Sequence, residues 1–318
     1  MPAHTPTLAA LAALAILSGH ATAGFEWVDT EGKFADLKLD GKNVARYVYE
    51  TIDESSDERR EETYKPFHHV YDAEGEDFIT KGPGGKYTHH RGIYYGFSKC
   101  RYTREDGKEF SADTWHCSKP AHQTHEKFID QMADDDSASH KVAIDWHGQN
   151  DGEVFATEER ELAFRKEGDA LVVDFTSTLS TDLPKVVVDG DPQHAGFQFR
   201  ASNEVAENTA KQTTYLRPDG QGKPGQTLNW PQAEGQIDLP WKAMSFVVGG
   251  DRYSTLYLDH PTNPKPAMSS ERDYGRFGSY FVAEITPDKP LTVPYRLVVK
   301  MGAFAPEEAR NLSEEFAN

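Results

Sequence analysis

The sequence has few cysteines, an excess of acidic over basic residues and, beyond its first residues, no long apolar run. Its two cysteines in 318 residues exclude a scaffold of many disulfides. Lysine and arginine total 34 against 52 acidic residues, a formal net charge of −18. Because phosphate binding needs clustered basic residues, we expect no nucleic-acid partner. A local pocket of arginine and histidine could still bind an anionic glycan against this overall charge.

The one long apolar stretch lies near the beginning of the chain. Leu8–Leu17 is apolar throughout and is followed by Ala21-Thr22-Ala23, a small-residue pattern that signal peptidase accepts. The alternative is a short hydrophobic tail on a cytosolic protein. We expect a signal peptide over residues 1–23 and a secreted or periplasmic mature chain over residues 24–318. A spanning helix needs about 20 apolar residues, and nothing after Ala23 approaches that, so we expect no membrane insertion.

The two cysteines are close in sequence. In an oxidising compartment this pair predicts one disulfide between Cys100 and Cys117. Closing that loop would stabilise the fold by about 3 kcal/mol in the chain-entropy model. The alternative is a metal-binding pair or a nucleophilic cysteine, which His116 beside Cys117 leaves open.

Runs rich in β-forming residues recur along the chain, whereas amphipathic helical runs hardly occur. The predicted strands are Phe34–Leu39, Val44–Glu50, Ile93–Phe97, Val142–Trp146, Val154–Arg165, Ala170–Leu179, Phe197–Ala201, Thr213–Leu216, Ala243–Val248, Arg252–Leu258, Tyr280–Ile285 and Val293–Lys300. Pro306 with Glu307 and Glu308 predicts the start of a short C-terminal helix. We therefore predict an all-β fold, a large antiparallel β-sandwich forming a single domain over residues 24–318.

Two acidic stretches interrupt this pattern, Asp53–Glu62 and Asp134–Asp136. We expect solvated loops at both. Calcium binding is the alternative, but neither stretch has the spaced carboxylates of a calcium loop.

Histidine and arginine are concentrated in a few segments. Histidine titrates near neutrality and serves as acid, base or metal ligand, and an arginine fork binds carboxylates. The segments that combine these types are His68-His69, His89-His90-Arg91, His194 with Arg200, His260 after a strand, and Arg272-Asp273-Tyr274-Gly275-Arg276. Structural alternatives are histidines bonded to backbone and an arginine–aspartate loop that only closes the end of the fold. The functional interpretation places the His89–Arg91 and Arg272–Arg276 segments in one cleft at one end of the sandwich.

Several of these segments together resemble a known bacterial family. They are residues 64–71 (YKPFHHVY), 87–96 (YTHHRGIYYG), 196–201 (GFQFRA), 260–264 (HPTNP) and 272–278 (RDYGRFG). The family is a secreted domain of unknown function labelled methane oxygenase PmoA. That label does not suit this chain, since the methane monooxygenase membrane subunit is an integral membrane protein and the mean hydropathy here is −0.70. The resemblance implies a secreted β-sandwich, similar to the galactose-mutarotase-like supersandwich, in bacteria that degrade complex glycans.

Three functions fit these residues, and the one we favour is a carbohydrate-active enzyme of lyase type. β-Elimination on a uronate needs carboxylate neutralisation and two proton transfers, for which arginine, histidine and tyrosine are suited. Mutarotase-like and hydrolytic chemistry are variants of this hypothesis. The second is a metal-dependent hydrolase with ligands among His68, His89, His90, His194 and His260. The third is a non-catalytic carbohydrate-binding or envelope protein, in which aromatic residues stack on sugar rings.

The favoured hypothesis assigns roles to particular residues. The predicted catalytic residues are His89, His90, His194 and Tyr274. The predicted substrate-binding residues are Arg91, Arg200, His260, Arg272 and Arg276. The expected partner is a saccharide or polysaccharide. We expect no cofactor and no tightly bound metal essential for folding, because the histidines lack the close spacing of structural zinc sites.

Overall fold

The computed structural model describes Met1 and residues 24–318, so the predicted signal peptide lies outside the described residues apart from Met1. The strands are β1 Phe25–Thr30, β2 Phe34–Leu39, β3 Lys42–Val48, β4 Phe67–Val70, β5 Ile93–Phe97, β6 Cys100–Thr103, β7 Glu109–Ala112, β8 His122–Ala133, β9 Ser137–His147, β10 Val154–Glu167, β11 Ala170–Ser180, β12 Lys185–Val188, β13 Ala195–Arg200, β14 Thr214–Arg217, β15 Gly220–Gln221, β16 Leu228–Asn229, β17 Trp241–Val248, β18 Asp251–Asp259, β19 Met268–Arg272, β20 Arg276–Tyr280, β21 Ala283–Ile285 and β22 Leu291–Met301. The helices are α1 Asp57–Thr63 and α2 Pro306–Ala317, with a π-helical turn at Val205–Thr209 and a 3-10 turn at Ala210–Gln212.

These strands form two nine-stranded sheets and one four-stranded sheet. The first sheet has the order β1-β2-β3-β4-β5-β13-β20-β19-β16, and the second has the order β15-β14-β17-β18-β22-β11-β10-β9-β8. The third has the order β21-β12-β6-β7. Apolar residues of all three sheets belong to one buried cluster, with Phe197 of the first sheet stacked on Phe175 of the second. The predicted all-β sandwich with a short C-terminal helix is confirmed.

Tight hairpins set the register of neighbouring strands. At the predicted turn between β2 and β3, Asp40 and Gly41 both have positive φ, 52° and 81°. Two consecutive positive-φ residues are typical of a type I′ turn, whose twist matches that of antiparallel strands. The turn after Glu167 likewise brings Glu167 opposite Ala170, so that β10 and β11 pair along their length. These local signals explain why the strands next to such turns can be predicted.

Alternation gives each large sheet an inner and an outer face. In β13, Phe197 and Phe199 lie in the core, so Gln198 and Arg200 point to the outer face of the first sheet. On the outer face of the second sheet, α2 covers a separate apolar cluster. That cluster contains Ala170, Val172, Leu216, Trp241, Ala243, Leu256, Leu258, Val298, Phe304 and Ala309, with Leu312 and Phe316 packed against it.

Two details of the predicted fold are wrong. Part of the acidic stretch Asp53–Glu62 is helical, because Ser56 caps the amino end of α1 by accepting a hydrogen bond from the Arg59 amide at 3.1 Å. Acidic residues in the first helical turn favour this helix. The predicted strand Tyr280–Ile285 contains the last residue of β20 and the whole of β21, which two non-strand residues separate. Within the part of the chain that the structure describes, no helix is both long and apolar enough to span a membrane.

Candidate functional site

The predicted site residues lie mainly on the outer face of the first sheet. Strands β13, β19 and β20 carry arginines there, and segments 85–92, 113–121 and 189–194 lie over the same face. The site is therefore on a sheet face rather than at one end of the sandwich, where we had predicted it. Alternation along the strands places these arginines outside the core while neighbouring phenylalanines fill it.

Three arginines of this face lack a carboxylate partner. Arg200 and Arg276 are each only 1% exposed, and Arg272 is partly buried. No ion pair between described residues involves any of the three. Arg200 donates to the carbonyl oxygens of Ala201 (2.8 Å) and Tyr274, whereas its Nε and Nη2 have no partner. Buried charge without an opposite charge is costly, which sets these arginines apart from the paired arginines of the core.

Arg276 is held in place by neutral groups. Its Nη1 donates to Gln198 Oε1 at 2.7 Å and its Nη2 to Ser270 Oγ at 2.7 Å, while its Nε has no partner. Burial, together with the charge of Arg276, lowers the pKa of Arg200 to about 10. The Arg200 guanidinium therefore stays charged at neutral pH, and hydrogen bonds already orient the side chains of Arg200 and Arg276.

Aromatic side chains lie beside the arginines. Tyr274 occupies the turn between β19 and β20, and the guanidinium carbon of Arg200 lies 4.9 Å from its ring centre. The ring of Tyr274 is 4.5 Å from that of Tyr87 and 6.0 Å from that of His90. Gly275 follows with φ +79°, and a Cβ there would lie 2.8 Å from the Cβ of Ala201. The turn therefore requires glycine, which fixes Tyr274 beside the arginines.

A cluster of three histidines adjoins this group. The ring centres of His89 and His116 are 4.6 Å apart, those of His116 and His194 are 4.9 Å apart, and those of His89 and His194 are 5.8 Å apart. One nitrogen from each of the three lies within 4.8 Å of the others, close enough to share a metal ion. The ring of His89 also lies 4.4 Å from that of His90, which connects the cluster to the arginine and tyrosine group.

Two of these histidines are held by the same local motif, Asp-x-x-His. Asp113 Oδ1 accepts hydrogen bonds from the Trp115 and His116 amides, and its Oδ2 contacts His116 Nδ1 at 2.8 Å. Asp191 repeats this arrangement for His194, with its Oδ1 3.1 Å from His194 Nδ1. In both turns, the carboxylate is fixed by backbone amides and orients the imidazole.

Burial controls protonation around the cluster. Burial first, and the charge of Lys65 next, lower the pKa of His89 to about 2. Burial also lowers the pKa of His90 well below its usual value, with a further contribution from His89. For Asp191 burial acts in the opposite direction, but the hydrogen bonds from His194 and the Gln193 amide, together with nearby positive charge, outweigh it and lower the pKa of Asp191 to about 2. At neutral pH, His89 and His90 are therefore neutral and Asp191 is ionised.

Two predicted substrate-binding residues are not positioned for that role. Arg91 is buried and donates to the backbone carbonyl oxygens of Thr88, His90 and Glu61. Its hydrogen bonds hold the 85–92 segment against α1. His260 lies on the other side of the molecule, with its ring 5.1 Å from that of Phe316 in α2. We therefore correct both assignments and interpret Arg91 and His260 as structural residues.

The predicted disulfide is absent from the structure, in which both cysteines are free and buried. Cys100 Sγ contacts the carbonyl oxygen of Phe97 at 3.8 Å, and Cys117 Sγ contacts that of Thr114 at 3.5 Å. Each thiol thus points to a carbonyl of its own segment. Burial raises the pKa of Cys117 to about 11, so this thiol is not an activated nucleophile.

The residues that sequence reasoning missed are Asp113, His116 and Asp191 as site residues. His116 was considered only together with Cys117. A signal was available, because Asp113-Thr114-Trp115-His116 and Asp191-Pro192-Gln193-His194 share one spacing that places a carboxylate beside an imidazole. What the sequence could not show is that both turns meet His89.

A cavity of about 500 Å³ lies elsewhere, between the two large sheets at one end of the sandwich. Its lining includes Val44, Tyr71, Leu171, Tyr253 and Val299 and contains neither histidine nor arginine. Its charged lining residues are lysines and aspartates, so the imidazole and guanidinium groups that cluster on the outer face are missing from it. The outer face of the first sheet is therefore the better candidate for chemistry.

The protein is an all-β sandwich with histidines and arginines clustered on one sheet face. A family model described as "Family of unknown function (DUF6807)" matches residues 35–314. The chain belongs to this family. The match supports the resemblance to a domain of unknown function that the sequence indicated. That description names no activity, and the methane oxygenase label has no support among these comparisons. No curated protein matches the sequence significantly.

Solved structures similar to the chain include carbohydrate-active proteins. A GH36 α-galactosidase from Geobacillus stearothermophilus is 8% identical with a TM-score of 0.44, over 87% of this chain and 41% of that one. A galactose mutarotase related enzyme from Lactobacillus acidophilus is 9% identical with a TM-score of 0.38, over 88% and 97%. Slr1438 from Synechocystis sp. PCC 6803 is 12% identical with a TM-score of 0.39, over 92% and 100%. The chain spans about two fifths of the length of the α-galactosidase.

Proposed function

We propose that the protein is an exported enzyme that cleaves a uronate-containing saccharide by β-elimination. The observation that carries the proposal is the set of arginines without carboxylate partners, Arg200, Arg272 and Arg276, beside Tyr274 and His90. In a chain of net charge −18, three such arginines on one sheet face are suited to a carboxylate of the substrate.

The reaction assigns a task to each group. Binding of the C5 carboxylate by Arg200 and Arg276 neutralises its charge and makes the C5 proton more acidic. Neutral His90 takes that proton, the C4–O bond breaks as the C4=C5 bond forms, and Tyr274 donates its phenolic proton to the departing oxygen. Water then returns Tyr274 and His90 to their starting protonation states. The arginines are already oriented by neutral partners, which favours the transition state over the free substrate.

The test uses residues 24–318 with a panel of polyuronates and neutral polysaccharides. We expect an ultraviolet-absorbing C4=C5 unsaturated product from at least one polyuronate and none from neutral chains. The variants His90→Ala and Tyr274→Phe should each lower turnover by roughly 10²- to 10⁴-fold, the usual contribution of a general acid or base. His260→Ala is the matched control and should keep wild-type turnover, because His260 lies on the opposite side of the molecule.

Other outcomes would overturn the proposal in different ways. New reducing ends without an unsaturated product would indicate hydrolysis. Polyuronate binding without turnover, weakened by Arg276→Met but not by His260→Ala, would indicate a binding protein that uses the same arginines. Wild-type turnover in both His90→Ala and Tyr274→Phe would show that the acid–base assignment is wrong.

A further inference from the structure

We propose that His89, His116 and His194 bind a divalent transition-metal ion of the zinc class. A nitrogen from each residue lies within 4.8 Å of the other two, although the residues are far apart in sequence. Each comes from a different connecting segment, before β5, after β7 and before β13. Three imidazoles brought together from three segments are suited to share one ion.

The two Asp-x-x-His turns prepare their histidines for metal binding. In each turn, the imidazole Nδ1 lies against a carboxylate, which is an acceptor only, so Nδ1 carries the proton. The lone pair then remains on Nε2 of His116 and of His194. A carboxylate behind a histidine is the usual outer-shell partner of a metal ligand, because it fixes the ring and increases its basicity.

His89 supplies the third nitrogen. Its Nε2 is buried and has no hydrogen-bond partner among the described residues. A buried imidazole nitrogen without a partner costs free energy, and a metal ion would supply the missing interaction. In the core, by comparison, the two Nε2 atoms of His68 and His140 lie 2.8 Å apart and satisfy each other.

Charges near the cluster both oppose and favour a cation. Lys65 and Arg91 face His89 and oppose it, although burial lowers the pKa of Lys65 to about 7. Asp113 and Asp191 are hydrogen-bonded directly to His116 and His194 and favour it. The two carboxylates contact the proposed ligands directly, so negative charge lies next to the imidazoles that would bind the ion.

The donor set indicates the kind of ion. Three imidazole nitrogens suit zinc, copper, nickel or cobalt and do not suit magnesium or calcium, which prefer oxygen. Three protein ligands also leave one position open, as in catalytic rather than structural zinc sites. His89 contacts His90, so an oxygen ligand at that position would lie near the arginine and tyrosine group. The inference does not depend on the β-elimination mechanism.

The experiment measures metal binding directly. Apo protein prepared with a chelator is titrated with Zn²⁺ by calorimetry, and the zinc content of the protein after dialysis is determined by mass spectrometry. Cobalt(II) in place of zinc should show the visible absorption of a nitrogen-ligated ion. We expect one ion per chain, a loss of at least about 100-fold in affinity for His116→Gln, and about 10- to 100-fold for Asp113→Asn. His260→Gln is the matched control and should bind as wild type does.

The folded state of each variant is verified by circular dichroism and thermal melting, and His194→Gln provides a second test should His116→Gln fail to fold. Failure of Zn²⁺, Co²⁺, Ni²⁺ and Cu²⁺ to bind stoichiometrically would overturn the proposal, as would unchanged affinity in a folded His116→Gln or His194→Gln. Polyuronate turnover by chelator-treated protein distinguishes the two proposals. Turnover without stoichiometric metal binding would support only the lyase proposal, and metal binding without turnover would support only the metal site.

Discussion

Buried arginines occur in two regions of this protein, and the two regions treat them differently. Between the sheets, Arg160 forms two hydrogen bonds with Glu158, at 2.9 and 2.8 Å, and Glu158 also accepts from the Trp146 indole at 2.9 Å. On the outer face of the first sheet, Arg200 and Arg276 are equally buried but lack a carboxylate partner. The core therefore pairs its buried arginine with a carboxylate, whereas the buried arginines of the outer face have only neutral hydrogen-bond partners.

The largest expected effect comes from removing the carboxylate partner of the buried core arginine, which leaves it unpaired like the arginines of the outer face. Glu158→Ala leaves Arg160 buried without a partner and should lower the free energy of unfolding by about 3–5 kcal/mol. Arg276→Met removes an unpaired charge, so its lost hydrogen bonds are partly offset by the relieved cost of burying that charge. We expect it to cost at most about 2 kcal/mol. Urea denaturation of both variants measures the difference, and equal losses would contradict the comparison.

An intermediate effect on stability is expected when the pH is lowered, because of the core histidines. Burial lowers the pKa of His140 to about 3 and that of His68 well below its ordinary 6.5. The unfolded chain binds protons there below about pH 6.5 while the folded chain does not, so stability decreases as pH falls from about 6.5 toward 3. Each histidine contributes up to about 1.4 kcal/mol per pH unit.

Urea denaturation at several pH values between 7.5 and 5 measures this dependence. His140→Gln removes one of the two groups and should reduce the dependence of unfolding free energy on pH by the contribution of one histidine. Tyr47 stacks on His68, and the charge of Arg160 opposes protonation of both histidines. His69 also opposes protonation of His68, and His125 opposes that of His140. An unchanged slope in His140→Gln would show that other groups control acid sensitivity.

The smallest expected effect concerns the cysteines. Cys100 and Cys117 are free and buried in the structure, so a reductant should leave the melting temperature unchanged. Thiol titration should find two reactive groups in denaturant and none in the folded protein, because burial raises the pKa of both thiols. A linked peptide pair in non-reducing mass spectrometry of exported protein would instead support the disulfide expected from the sequence.

Much of the fold follows from local signals in the sequence, as two strands show. Phe34–Leu39 and Ile93–Phe97 were predicted with their observed bounds, because each is a short β-forming run next to turn residues. The long strand His122–Ala133 was not predicted. It is an edge strand of the second sheet, its residues are mostly exposed, and it therefore has no apolar alternation to detect.

The site was harder to predict than the fold because it depends on long-range placement. Sequence reasoning selected His89, His90, His194, Tyr274, Arg200, Arg272 and Arg276, which the structure brings to one sheet face. It also selected His260, whose residue type fits but which directly follows a strand of the other sheet. Residue type suggests chemistry, whereas strand order and strand face decide which side chains meet. Their roles in binding or catalysis remain predictions.

The C-terminal helix α2 and the cluster of arginines and histidines lie on opposite sides of the molecule. Because α2 packs on the outer face of the second sheet, Asn318, which caps this helix, lies on the side opposite the arginines and histidines. A tether attached at Asn318 would therefore hold the molecule with its site directed away from the support. Surface immobilisation through that residue is therefore a suitable format for binding measurements.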